Sequence, residues 1–182
     1  MGIRDTVKHL SLSLELCPIF YTSHWSEKIH GVFAEALVPF QGILKHFARL
    51  QTAEIPPLIL LGWSHVDAPS LAALLPTQLQ KLCLRGDMEC VGGYQWEMDA
   101  VAEAIQSFLP LAQSATPELK SIQLRLFNPD DPITWGQEHA EAARAPCRAL
   151  GLDMDIRLTT DSLSPGLWTT SRALWEYVHR GR

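Results

Sequence analysis

Apolar residues take the first, fourth and sixth places of "LQKLCL", which begins at Leu79. The same spacing returns in "VKHLSL" from Val7, "LQTAEI" from Leu50 and "LKSIQL" from Leu119. Inside each copy the alternation has a period of two, the mark of a strand with one buried face. A further alternating run, Met154, Ile156 and Leu158 in "LDMDIRL", predicts a fifth strand without the full signature. Between the copies the period becomes helical. Phe40, Ile43, Leu44 and Phe47 share one helix face, with Pro39 suited to the first turn. Met98, Val101, Ile105, Phe108 and Leu109 predict a second helix, ended by Pro110. Ala140, Ala143, Cys147 and Leu150 predict a third, with a break or kink at Pro146 and a left-handed cap at Gly151. Between Leu50 and Leu79 there is room only for a short helical turn around Ser70 to Leu75.

Strand and helix in regular succession imply an α/β fold whose strands run parallel and are joined by crossovers. The signature starts at residues 7, 50, 79 and 119, an irregular spacing but one within the range of stacked repeat units. The expectation is a single domain over 1–182. Its last segment, 159–182, places Leu174, Tyr177 and Val178 on one helical face and is expected to cap the open end of the stack.

The signature resembles that of leucine-rich repeats. The succession "LLGW" (Leu60 to Trp63), "LPTQLQKLCLRGDM" (Leu75 to Met88), "YQW" (Tyr94 to Trp96) and "ATPELKSIQLRL" (Ala115 to Leu126) is similar to the C-terminal part of fungal proteins with degenerate leucine-rich repeats. The likeness runs from Val7 to Leu158 and implies a short stack of parallel strands with helices on one side. Many of those proteins resemble F-box proteins, with a ubiquitin-ligase adaptor bundle ahead of the repeats. This sequence opens almost directly on a repeat strand, so the expectation is the repeat stack without that bundle. Within the repeats, Ala53 replaces the usual leucine of the second copy, and the asparagine ladder of regular repeats is missing.

Charge narrows the partners. The net charge is -5 and no run of Lys or Arg exceeds two residues, which argues against nucleic acid and against a membrane surface. The opening twenty residues lack an unbroken apolar core, and no apolar run approaches the roughly 20 residues that span a bilayer; a cytoplasmic protein is expected. The spacing of Cys17, Cys83, Cys90 and Cys147 yields no Cys-x-x-Cys pair. Free and mostly buried thiols are expected, with neither disulfide nor zinc.

Candidate chemistry lies in two places. The strands' outer face carries Ser11 and Ser13, Glu54, Cys83 and Arg85, Gln123 and Arg125, then Asp155 and Arg157. It reads either as a solvated face with cross-strand charge pairs or as a binding surface with an arginine centre. In open parallel sheets, ligands gather beyond the carboxyl ends of the strands. The loops leaving those ends carry His24 and Trp25, then Trp63, His65 and Asp67, then Asp87, Glu89, Tyr94 and Trp96, then Asp130, Asp131 and Trp135. Each also has an ordinary structural reading: Trp63 and Trp96 as core residues, His65 as a surface histidine, "NPDDP" as a turn.

Two functions follow. The first is a cofactor-free isomerase or cyclase of fungal specialised metabolism, acting on an apolar small molecule and extending to intramolecular cycloaddition. His65, Tyr94 and Arg85 would be its polarising groups, and Trp63, Trp96, Trp135, Asp67 and Asp87 its substrate contacts, with no metal. Its support is six tryptophans in 182 residues and the absence of a nucleotide-binding glycine motif, a ligand set or a nucleophile elbow. The second is a non-catalytic interaction module with a protein partner, the common use of such repeats.

Overall fold

The computed structural model describes residues 3–12, 42–86, 96, 98–127 and 137–159. Among these, five strands form one parallel sheet in sequential order: β1 (His9–Ser11), β2 (Thr52–Ile55), β3 (Lys81–Arg85), β4 (Ser121–Phe127) and β5 (Asp153–Thr159). Helices α1 (Pro57–Leu61) and α2 (Leu71–Leu74) follow β2, α3 (Met98–Ala115) follows β3, and α4 (Gln137–Ala149) follows β4. Single 3-10 turns occupy Ile3–Asp5 and Ile43–His46. Each signature copy holds a strand, and the alternating run after Gly151 holds the fifth.

The backbone repeats more regularly than the side chains. Ahead of β2, β3, β4 and β5 the chain makes the same tight turn, in which an N–H donates to the carbonyl three residues earlier: Leu50 to Phe47, Leu79 to Pro76, Leu119 to Thr116 and Gly151 to Arg148. The carbonyl at the second signature place then accepts from the next copy. Lys8 takes the N–H groups of Gln51 and Thr52, Gln51 those of Gln80 and Lys81, Gln80 those of Lys120 and Ser121. These bonds fix the register, and inward residues fall into rows: Leu10, Ala53, Leu82, Ile122 and Met154 in one, Ile55, Leu84, Leu124 and Ile156 in the next. Leu82, Leu84, Ile122 and Leu124 are fully buried, in one cluster with the apolar stripes of the helices.

Several helical expectations change. Pro110 does not end α3, which runs five residues further to Ala115. Its ring removes the bond to the Gln106 carbonyl, and Gln106 and Pro110 both lie on the exposed side of the helix. Likewise α4 runs through Pro146 without interruption. Leu150, expected in the α4 stripe, is 37% exposed, because the helix has ended and Gly151 turns the chain at φ +72. The turn is a Schellman cap, with the Leu152 N–H on the Cys147 carbonyl and the Gly151 N–H on Arg148. Of the helix expected from Phe40 to Phe47, the described part forms the 3-10 turn Ile43–His46, and Phe40 lies outside the described residues. The short turn expected around Ser70 to Leu75 is α2, which Ser70 caps through its hydroxyl, accepting from the Ala72 N–H; a second short helix, α1, precedes it. Of the expected cap, 159–182, Thr159 instead ends β5; 160–182, with Trp168, Leu174, Tyr177 and Val178, lies outside the described residues, as do Cys17 and Cys90. No helix among the described residues is long and apolar enough to cross a membrane.

Leu84→Ala deletes a fully buried side chain from the centre of the inward rows. It is expected to lower unfolding free energy by roughly 2 to 5 kcal/mol, read from urea titration; a change within experimental error would overturn the stacked-row description.

Candidate functional site

The same register that buries the apolar rows aligns a polar row on the opposite face: Ser11, Glu54, Cys83, Gln123 and Asp155 stand side by side across the five strands. One step along, Arg85, Arg125 and Arg157 form a second row. Glu54 links the two. Its Oε1 accepts from Arg85 Nη1 at 3.1 Å and from Arg125 Nη1 at 3.0 Å. At the β5 side, Asp155 Oδ2 accepts from Gln123 Nε2 at 2.9 Å and from Arg157 Nε at 2.6 Å. The arginine side chains grow more accessible across the sheet, from 11% exposed at Arg85 through 36% at Arg125 to 65% at Arg157. Arg85 is therefore a largely enclosed strut, and Arg125 and Arg157 are the more accessible groups of the row.

The face is not a uniformly solvated one. Cys83 and Gln123 are buried despite their outward positions, and the Gln123 Oε1 has no hydrogen-bond partner. Burial pushes the Cys83 thiol up from its ordinary 9.0 to about 11, with the Glu54 carboxylate adding to the rise and Arg125, Arg85 and Lys81 opposing it. At Asp155, partial burial acts to raise the carboxyl, but hydrogen bonds from Arg157 and Gln123 and the charges of Arg157 and Arg144 outweigh it and hold the group below its ordinary range. Cys147, on the helix side of the sheet, also has a raised pKa from burial, and its Sγ donates to Met154 Sδ at 3.4 Å. Both thiols are free.

The expected loop site divides. His65 and Trp96 do come together: their rings meet edge to face at 76°, with centroids 6.4 Å apart. They line a half-open groove of about 410 Å³ between the 65–71 segment and the first half of α3. Trp96 is itself buried, held by its Nε1, which donates to the Gly62 carbonyl at 2.6 Å. Trp63 sits in the core cluster. Asp67 is exposed beside His65, and Arg85 belongs to the sheet face and not to the groove. Tyr94, Trp135 and Asp87 lie outside the described residues, with His24, Trp25, Glu89, Asp130, Asp131 and Ser13. Among the described residues no group of three or more His, Cys, Asp or Glu is placed to hold a metal.

Glu54 is expected on the outer face, but its place as hub of the charged rows leaves no mark in "LQTAEI", where it is one polar residue of an alternating strand. Sequence reasoning missed Glu103, which lines the groove and in the sequence is one of several polar residues of α3.

No protein-family model, curated protein or solved structure matches the chain.

A thiol whose pKa is higher folded than unfolded favours the folded state below the unfolded value. That contribution is lost as pH rises through the folded value. Stability is thus expected to fall between pH 9.0 and about 11 in part through Cys83, and Cys83→Ala is expected to lose less over that interval in denaturant titrations. Equal losses in the two proteins would show that this thiol is not ionising with unfolding.

Proposed function

We propose that the chain is a non-catalytic interaction module of the leucine-rich-repeat kind, which takes an acidic protein segment on the arginine row of its sheet. The observation that carries this reading is the aligned row Arg85, Arg125 and Arg157, graded outward in exposure and braced by Glu54 and Asp155. A guanidinium offers five N–H donors, and the contact with Glu54 engages one nitrogen of Arg125. A carboxylate arriving from outside has donors to meet, and their orientation is already set. Stacked-repeat proteins commonly bind on such faces. The resemblance to fungal proteins with degenerate leucine-rich repeats supports the same use. The free buried thiols Cys83 and Cys147 favour a reducing compartment, the cytoplasm.

A second reading, a cofactor-free isomerase or cyclase acting on an apolar small molecule, is favoured by His65, which stands at a groove of ligand size. It comes second because Trp63, one of the walls it needs, is in the core. Incubation with terpenoid and polyketide-like dienes and aldehydes, followed by mass spectrometry, tests it, with loss of conversion expected in His65→Ala.

The module reading is tested by fluorescence polarisation with labelled peptides rich in Asp and Glu, against scrambled-charge controls. Saturable binding that weakens with added salt is expected for the acidic peptides alone. Arg125→Glu, at a partly exposed position, is expected to weaken it by about tenfold or more while the circular dichroism spectrum stays unchanged. Binding that ignores salt, or that survives Arg125→Glu, would remove the arginine row from the interface.

A further inference from the structure

The groove beside α3 shares no residue with the arginine row. We propose that it binds a small organic cation, an amine on a flat apolar body, with Glu103 as the counter-ion. The inference stands apart from the acidic-segment reading and holds whether or not the ligand is transformed.

Shape comes first. About 410 Å³ is within the range that encloses a small molecule. The space exists because α3 presents Ala100 and Ala104, one turn apart, where larger side chains would fill it. Leu71 and Trp96 close the floor, and neither is free to shift: Leu71 is in the core cluster, and Trp96 is tied to the Gly62 carbonyl and set against the His65 ring. A rigid apolar floor admits a flat hydrocarbon or aromatic body with little reorganisation. At the lip, Val66 is 76% exposed, an apolar surface that gains when a ligand covers it.

Charge then selects the head group. Among the described residues that line the groove, Glu103 is the one carboxylate, and there is no Lys or Arg. Asp99 stands one helical turn before it on α3, and Asp67 in the facing loop, both exposed. An anionic ligand would meet the Glu103 carboxylate with no Lys or Arg in the lining to offset it. A protonated amine gains a charge-assisted hydrogen bond to Glu103, with the Ser107 hydroxyl one turn further as a second acceptor.

The test uses the full chain, with tryptamine as the cation and indole-3-propionate as its counterpart of like shape and opposite charge, followed by calorimetry and by amide chemical shifts. Tryptamine is expected to bind saturably with shifts centred on Ala100, Glu103 and Ala104, and indole-3-propionate at least about tenfold more weakly. Glu103→Gln, at an exposed helical position, is expected to cut tryptamine affinity by about tenfold or more. Ala104→Leu, which fills the groove, is expected to abolish it. Equal affinity for the two indoles, tryptamine binding unchanged in Glu103→Gln, or no saturable binding of tryptamine at all would each overturn the proposal. Failure with acidic peptides leaves this outcome untouched, so the two readings fail separately.

Discussion

Register is the constraint on which the rest of this structure depends. The carbonyls of Lys8, Gln51 and Gln80 each receive two N–H groups from the following copy, and each such pair forces the next strand to start level with the last. Side chains alternate along a strand with a period of two, so a slip of one residue would carry Leu82, Leu84, Ile122 and Leu124 to the outer face and Cys83, Gln123 and the arginines into the core. The apolar rows and the ladder bonds therefore enforce each other. Burial penalises any other register, and the bonds place the leucines for burial.

The charged sheet face is a by-product of that alignment. Because Glu54, Cys83 and Gln123 share a row, one carboxylate on β2 reaches guanidiniums on β3 and β4, at 3.1 and 3.0 Å. No single strand contains this cluster. The groove arises at a different level, from the packing of the loop after α1 against α3, where two alanines leave space beside a tryptophan anchored at 2.6 Å to Gly62. The sheet face presents positive groups and the groove a carboxylate, so a chain of net charge -5 offers two surfaces of opposite character.

Much of the fold was legible because it rests on local periodicity. The copies at Val7, Leu50, Leu79 and Leu119 and the run before Leu158 each hold a strand, and the stripe from Met98 holds the longest helix described. The errors came where a local rule met solvent. Proline removes one hydrogen bond, and at Pro110 the loss falls on the exposed side of α3, beside Gln106, where the helix continues. Which side of a helix faces solvent is a tertiary property. The hub role of Glu54 was missed for a related reason, since partners 31 and 71 positions away in sequence leave no local trace.

What the sequence determined by itself is the alternation that makes strands, the stripes that make helices and their order along the chain, because these follow from the geometry of one residue and its near neighbours. From that order came the α/β class and the parallel sheet. What only the tertiary structure decided is which polar groups meet: that Glu54 holds Arg85 and Arg125, that the outward Cys83 and Gln123 are nonetheless buried, and that His65 and Trp96 share a groove with Glu103 while Trp63 goes to the core. Hydrophobic burial is satisfied by any apolar neighbour and can be read from pattern alone. A hydrogen bond or ion pair needs a particular atom at about 3 Å, and that distance is set by the packing of the whole chain.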